Sequence, residues 1–332
     1  MSPARRRAAL TVVAALSLAT PGSAAAHAGP VAPVATSFDA RITTLPSGIS
    51  ARVVSGDQQL ELRSAPGQTV VVLGLLGEPY LRFGPGGVDV NQASPTSFLN
   101  RAQPLPVPAA ALSGAPPSWH RVSSGRSYRW HEDRLHALAV ADRSPRAGYV
   151  GAWTIPLRID GRAGRIAGGL WYTPPPTRLW LWPVAIVLGC LSALLRLHKP
   201  RLDRVLLVAL GLVALAAIVA GHIESSLPAG VPATPSRIGW LGFACAFTLT
   251  AGGLLLRRHW QALAGLAIAA YALTVGLTLL PTLSKGHVVI ALPASVDRLT
   301  AVTALTTGLG LLLVVAARPA QIRPRERSAR TS

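Results

Sequence analysis

Histidine is placed unevenly along this chain, and its neighbours give it the most chemical potential of any residue type present. His120 lies in Pro117-Ser118-Trp119-His120-Arg121, and His131 and His136 bracket Glu132 and Asp133 in the window WHEDRLH. Neutral imidazole and carboxylate are ligands for Cu(II) and Zn(II), so His120, His131 and His136 form a candidate metal set. The spacing imposes a condition. Five residues along a strand would put His131 and His136 on opposite faces, so this window must be a loop if both are to meet one ion. The competing reading is a solvated turn in which Glu132 and Asp133 neighbour Arg129 and Arg134. His27, His222 and His287 are weaker metal candidates; Glu224 accompanies His222 at the end of an apolar stretch.

Other chemistries leave less trace. No nucleophile with a nearby base, paired carboxylates, HExxH, phosphate-binding glycines or CxxC can be picked out. Gly84-Pro85-Gly86-Gly87 is a glycine-rich turn with no following helix to bind phosphate. The single Met is the first residue, which excludes a thioether route for Cu(I). Cys190 and Cys245 fall inside apolar stretches, where small apolar filler is the simplest role and a soft-metal pair the alternative. A non-catalytic protein with no resident cofactor is expected, copper being the one candidate; a membrane enzyme assembled from scattered Ser, His and Asp is a further alternative.

The elements that must carry these residues fall into two kinds. After residue 178 come five stretches, roughly 179–196, 205–223, 238–256, 260–280 and 298–317, each about 20 apolar residues and so long enough to cross a hydrocarbon core about 30 Å thick. The spans are almost free of ionisable groups at their centres, which argues against proton-coupled transport. Arg196, Lys199, Arg201 and Arg204 lie between the first two spans, Arg257 and Arg258 between the third and fourth, and Arg318, Arg323, Arg325, Arg327 and Arg330 in the tail, while the alternate loops carry few basic residues. By the positive-inside rule this predicts a plasma-membrane protein with its N-terminal domain outside and a basic cytoplasmic tail, 318–332. The same asymmetry accounts for the net charge of +19 without nucleic acid, for which no motif is present. Arg5, Arg6 and Arg7, the apolar run Ala8 to Ala19 and Ala24-Ala25-Ala26 read as a signal peptide over 1–26. Cleavage after Ala28 is also permissible, and retention would add a sixth span.

Residues 27–173 read as an exported β-domain. Ile49 to Val54, Leu60 to Arg63 and the apolar run Thr69 to Leu76 have strand character, and Asp160-Gly161 between Trp153–Ile159 and Arg165–Tyr172 predicts a hairpin. The fold class expected is an all-β Ig-like sandwich followed by an α-helical five-span membrane domain. Gln103 to Ser118, rich in Pro and Ala, is a long loop within it or a linker between two smaller units, and Pro174-Pro175-Pro176, within 174–178, is a stiff stalk. No cysteine lies in this region, so its stability must come from its core.

In GEPYLRFGPGGVDVNQASPTSFLNR, PSWHRVSSGRSYRWHEDRLHAL and GAWTIPLRIDGRAGRIAGGLWY, the chain resembles a group of actinobacterial multi-span membrane proteins with an exported β-domain and no established activity. The group's features map here onto Glu78, Tyr80, Arg82, Asn91, Ser94, Pro95, Asn100, Trp119, His120, Trp130, His131, His136 and Trp153. The third string is also distantly similar to the closing hairpin of CopC-type copper-binding domains, and His27 could match that family's N-terminal His. Arg162 stands where the CopC pattern has a copper-ligating His, so this likeness implies the sandwich more than the copper site. The expected function is presentation of a β-domain to a ligand or protein partner at the lipid bilayer, with Cu(II) handling by outward histidines as the alternative.

Overall fold

The computed structural model describes residues 34–101, 104–111, 114–136, 146–197, 199–226, 235–290 and 292–317. The expected signal peptide, His27 and the basic tail lie outside these residues. Eleven strands and one short helix come first: β1 (Ala35–Thr36), β2 (Phe38–Thr44), β3 (Ile49–Val54), β4 (Gln59–Ser64), β5 (Val70–Leu73), β6 (Pro79–Gly84), β7 (Gly87–Asn91), α1 (Thr96–Leu99), β8 (Trp119–Ser123), β9 (Ser127–His131), β10 (Gly148–Ile159) and β11 (Arg162–Tyr172). Five long helices follow, α2 (Trp182–Leu195), α3 (Pro200–Ser226), α4 (Pro235–Leu256), α5 (Gln261–Leu279) and α6 (Ala294–Ala316), with β12 (His287–Val288) just before the last.

The strands pair antiparallel into a seven-stranded sheet, ordered β2-β11-β10-β5-β6-β7-β8, and a three-stranded sheet, β3-β4-β9. Neither closes into a barrel, since each keeps two edge strands. Period-two alternation is what assigns the faces: in β10 Trp153, Ile155 and Leu157 are buried while Ala152, Thr154 and Arg158 are exposed, and in β4 Leu60 and Leu62 point inward between Glu61 and Arg63. Leu60, Leu62 and Trp130 from the small sheet share one core with Val72, Leu81, Phe83, Ile155 and Ile166 from the large one. The Phe83 and Trp130 rings meet across it, 6.3 Å between centroids.

Local chemistry explains the joints. The β10–β11 hairpin turns at Asp160 (φ 50°) and Gly161 (φ 81°), the double left-handed geometry that Asp-Gly tolerates. Pro156 sits in β10 where only β11 is alongside; β5 pairs from Leu157 onward, so the missing N–H costs no ladder bond on that side. The run Thr69–Leu76 is not one strand. It stops at Leu73, because Gly74 and Gly77 turn the chain back into β6, and Leu76 is 61% exposed at that turn. The domain expected to be all-β contains α1 and a 3-10 turn at Asp133–Leu135.

Each of the five long helices forms or belongs to an apolar segment of 18 to 24 residues, enough to cross a membrane. Their perimeter exposes Ile186, Leu249 and Leu277, apolar side chains that only a lipid environment makes inexpensive to leave outside. Inside, small residues let backbones approach. A Cβ on Gly276 would stand 2.8 Å from Leu305 and one on Gly308 2.8 Å from Leu273, which makes α5 and α6 a close pair. Cys190 and Cys245 are free and exposed on the helices. A seam joins the two regions. Strand β1 pairs with β12 through Ala35 opposite Val288 and Thr36 opposite His287, and a Cβ on Gly286 would collide with the carbonyls of Thr173 and Pro174.

Candidate metal centre

Strand β9 delivers His131 at its last position, opposite Gln59 of β4. The chain then turns instead of extending. Glu132 N–H donates to the Gln58 carbonyl (3.0 Å), Leu135 N–H to the Glu132 carbonyl (3.1 Å) and His136 N–H to the Asp133 carbonyl (3.0 Å), closing a single 3-10 turn. The turn folds the chain back after β9 and so brings together two histidines that a continuing strand would put on opposite faces, while Asp133 and His136, three apart, fall on one side of it. Their rings lie 4.9 Å apart with Nε2 to Nε2 at 3.2 Å. Asp133 joins them, its Oδ1 3.0 Å from His131 Nε2.

His131, Asp133 and His136 therefore offer three ligand atoms all within 4.8 Å of one another, the one group of three metal-type donors among the described residues. Two imidazole nitrogens bound about 2.0–2.1 Å from a tetrahedral ion stand about 3.3 Å apart, close to the separation found here. The third donor is a carboxylate rather than the third histidine of the sequence expectation. His120 is exposed on the edge strand β8, opposite Val90, and is not a member of the group. The weaker candidates lie elsewhere: His222 Nε2 pairs with the Tyr271 hydroxyl at 2.6 Å, and His287 Nε2 is 3.6 Å from Asp39.

The surroundings hold the donors in place. Glu132, the other acid of the window, is fully buried and turned away. Its carboxylate accepts from Trp130 Nε1 (2.9 Å), Arg134 Nε (2.7 Å) and Arg134 Nη2 (2.8 Å), and Arg134 also reaches the Leu73 carbonyl (3.1 Å). Arg129 pairs across the sheet with Glu61 instead. The turn and the Glu132–Arg134 contact of the competing reading are present, but Glu132 and Leu135 are fully buried rather than solvated. Asn100, at the end of α1, accepts from the Asp133 N–H through Oδ1 at 2.7 Å. Behind α1, buried Glu78 accepts from Ser94 Oγ (2.5 Å), Thr96 Oγ1 (2.6 Å) and the backbone of Leu76 (3.1 Å). Burial opposes its ionisation, but these hydrogen bonds outweigh that cost and hold its carboxyl below the ordinary range. Asn91 adds bonds to Pro79, Ala93 and Ser118. Glu78, Asn91 and Ser94 thus brace the segment that leads into α1, and Asn100 at its end ties that segment to the loop that carries the donors.

One essential partner has no signal in the sequence. Asp57, in the β3–β4 turn, sits beside His136, Oδ2 to Nδ1 at 3.3 Å, while its Oδ1 is 3.4 Å from Thr36 Oγ1. The turn reaches this position through left-handed Ser55 (φ 65°) and Gly56 (φ 79°), where a Cβ on Gly56 would meet Thr36 at 2.3 Å. An ordinary Ser-Gly-Asp turn hides such a role. A carboxylate on Nδ1 fixes the tautomer with the proton on Nδ1 and leaves Nε2 free to bind an ion, the usual support behind a ligating histidine. Burial disfavours the His136 imidazolium, yet Asp57, Asp133 and Glu132 together raise its pKa above the ordinary 6.5. On His131, Nδ1 is buried without a hydrogen-bond partner, leaving Nε2 as its one engaged nitrogen.

Comparison with protein-family models, with curated proteins and with solved structures finds no match.

Proposed function

We propose that this membrane protein presents an Ig-like β-sandwich on the outer face of the plasma membrane and there binds a divalent transition-metal ion through His131, Asp133 and His136. The convergence of two imidazole Nε2 atoms and a carboxylate oxygen within 4.8 Å supports this reading most directly. Two nitrogens and one oxygen suit Cu(II) or Zn(II) and leave a coordination position open for water, a substrate group or a donor from another protein. The role is capture and presentation rather than catalysis, which keeps the expected binding function and specifies its ligand. The likeness to CopC-type domains supports the sandwich but a different ligand set, since Arg162, the first residue of β11, stands where that pattern has its copper-ligating His. The outward orientation rests on the arginines between the first and second spans and in the tail.

Titration calorimetry of the full chain in detergent with Cu(II) and with Zn(II) tests the site. One equivalent should bind, and His131→Ala and His136→Ala should each weaken binding at least tenfold, while His120→Ala should leave it unchanged. Unaltered binding in the first two variants, or none in the parent, removes the metal reading and returns the β-domain to an unidentified partner. A phosphatase reporter fused after Arg330 should be inactive; activity there would reverse the orientation.

A further inference from the structure

Helix α3 carries a groove on its outer side, at the end away from the β-domain. Arg201, Arg204, Val205, Val208, Ala209 and Leu212 line it, around a cavity of about 600 Å³. Their spacing, i, i+3, i+4, i+7, i+8 and i+11, is that of one helix face. Val205 and Leu212 on this face are exposed, whereas Leu207 and Ala214, on another, are buried in the helical core. Ala209 makes the recess, being the small side chain between Val205 and Leu212. The other end of α3 lies at the seam: Glu224 accepts from Thr300 of α6 (2.7 Å), and the next helix residue but one before it, Arg298, reaches the Gly286 carbonyl beside β12 (3.1 Å). The apolar segment Arg201–Glu224 has 24 residues, about 35 Å of helix. A hydrocarbon core about 30 Å thick therefore fits between the seam and the two arginines.

The two ends of the groove differ in chemistry. Arg201 and Arg204 stand at its mouth in the first turns of α3, and Arg196 and Lys199 come just before them. Asp203 is the one acid between 196 and 204; it does not line the groove, and its Oδ1 is buried. Beyond the arginines the walls are wholly apolar. From Arg204 to Leu212 the groove runs about 12 Å, which fits within the half-thickness of about 15 Å that one leaflet supplies. We propose that this groove binds one anionic phospholipid, its phosphate held by Arg201 and Arg204 and an acyl chain lying along Val205, Val208, Ala209 and Leu212. The planar guanidinium fork donates to two phosphate oxygens at once. Arginine stems can also lie on an apolar wall while their charged ends stay at headgroup level. A zwitterionic headgroup offers the same phosphate but sets its own cation beside four basic residues, so the site selects by net charge. It shares no residue with the histidine centre and does not depend on it.

Native mass spectrometry of the full chain tests the site, from micelles holding equal amounts of phosphatidylglycerol and phosphatidylcholine with matched acyl chains. One phosphatidylglycerol should stay bound, in at least tenfold preference over phosphatidylcholine. Arg201→Gln together with Arg204→Gln should abolish that preference. Ala209→Phe, which fills the groove and keeps both arginines, should lower phosphatidylglycerol retention at least tenfold with an unchanged size-exclusion profile. Arg257→Gln together with Arg258→Gln, at the same membrane face but outside the groove, should change nothing. Glycerol phosphate at the lipid's concentration, which has the charge without the chains, should not displace it. Equal retention of both lipids by the parent overturns the proposal. So does a loss in the Arg257 and Arg258 variant as large as in the Arg201 and Arg204 variant, since general surface charge would then select the lipid. Displacement by glycerol phosphate, or parental retention in Ala209→Phe, overturns it as well, because the anion would then bind without the groove.

Discussion

Asp57 is the residue on which the chemistry of the histidine loop turns, although it lies 79 positions from His136. A carboxylate behind a ligating imidazole typically contributes a factor of about 10–100 in metal affinity, so Asp57→Asn should lower Cu(II) or Zn(II) affinity by that order without abolishing it. The same pair sets a pH dependence. A metal must displace the His136 proton, and the raised pKa extends protonation above 6.5; affinity should therefore fall as pH drops through that raised value. Calorimetry between about pH 5 and 8 should show this fall, displaced to lower pH in Asp57→Asn. A flat profile in the parent would contradict the role given to His136. Without metal the sign reverses for stability. The charged His136 contact stabilises the fold below the ordinary value of 6.5 and is lost as pH rises through the folded pKa.

At the level of elements, the β10–β11 hairpin separates backbone demand from packing demand. Gly161 has a left-handed φ of 81° but open space where a Cβ would go, so Gly161→Ala should cost only about 1–2 kcal/mol for the conformation. Gly168 lies under Trp153, whose Nε1 reaches the Gly169 carbonyl at 2.9 Å; a Cβ at 168 would stand 2.1 Å from the Arg41 carbonyl and 2.2 Å from the Trp153 ring. Gly168→Ala should destabilise the β-domain well beyond Gly161→Ala in chemical denaturation. Equal effects would mean that Trp153 can shift, and that this part of the core is looser than its burial indicates. The same hairpin was readable from Asp160-Gly161 alone. The Gly168 contact was not, since it depends on β2 pairing with β11 across more than a hundred residues.

On the scale of the whole molecule, two regions with different solvents meet at a seam built on the pairing of Ala35 and Thr36 with Val288 and His287. The β-domain has its own core, so residues 36–173 expressed alone should fold with an all-β circular dichroism spectrum; a predominantly helical spectrum would show that the strands depend on the helices. This domain should also be acid-labile. Burial works against ionisation of Glu61, Glu78 and Asp89, but Arg52 and Arg129, Ser94 and Thr96, and Arg121 and Arg82 respectively outweigh it and lower all three pKa values. Carboxyls lowered on folding stabilise above their ordinary values of 4.5 and 3.8 and lose that contribution as pH falls through the folded ones. Melting temperature should therefore drop steeply below about pH 4, and a variant lacking the Arg82 and Arg121 contacts to Asp89 should drop less.

By itself the sequence determined what depends on local composition and period. Five apolar segments are long enough to span because length and hydropathy are one-dimensional properties, and Leu60 and Leu62 alternate with Glu61 and Arg63 because the strand period is two. It also put His131, Asp133 and His136 within six residues of each other, while leaving their meeting conditional on a turn. Only the tertiary structure decided the rest. Whether WHEDRLH extends or folds back depends on Gln58 and Asn100, partners from other elements, and on the core that buries Leu135, none of which a local period encodes. Asp57 joins His136 only because β3 and β4 are in one register. Asp297 is fully buried beside Glu224 only because α6 begins at Ala294 and packs against α3. Burial makes a carboxyl costly to ionise without a partner, and burial is a property of packing in three dimensions.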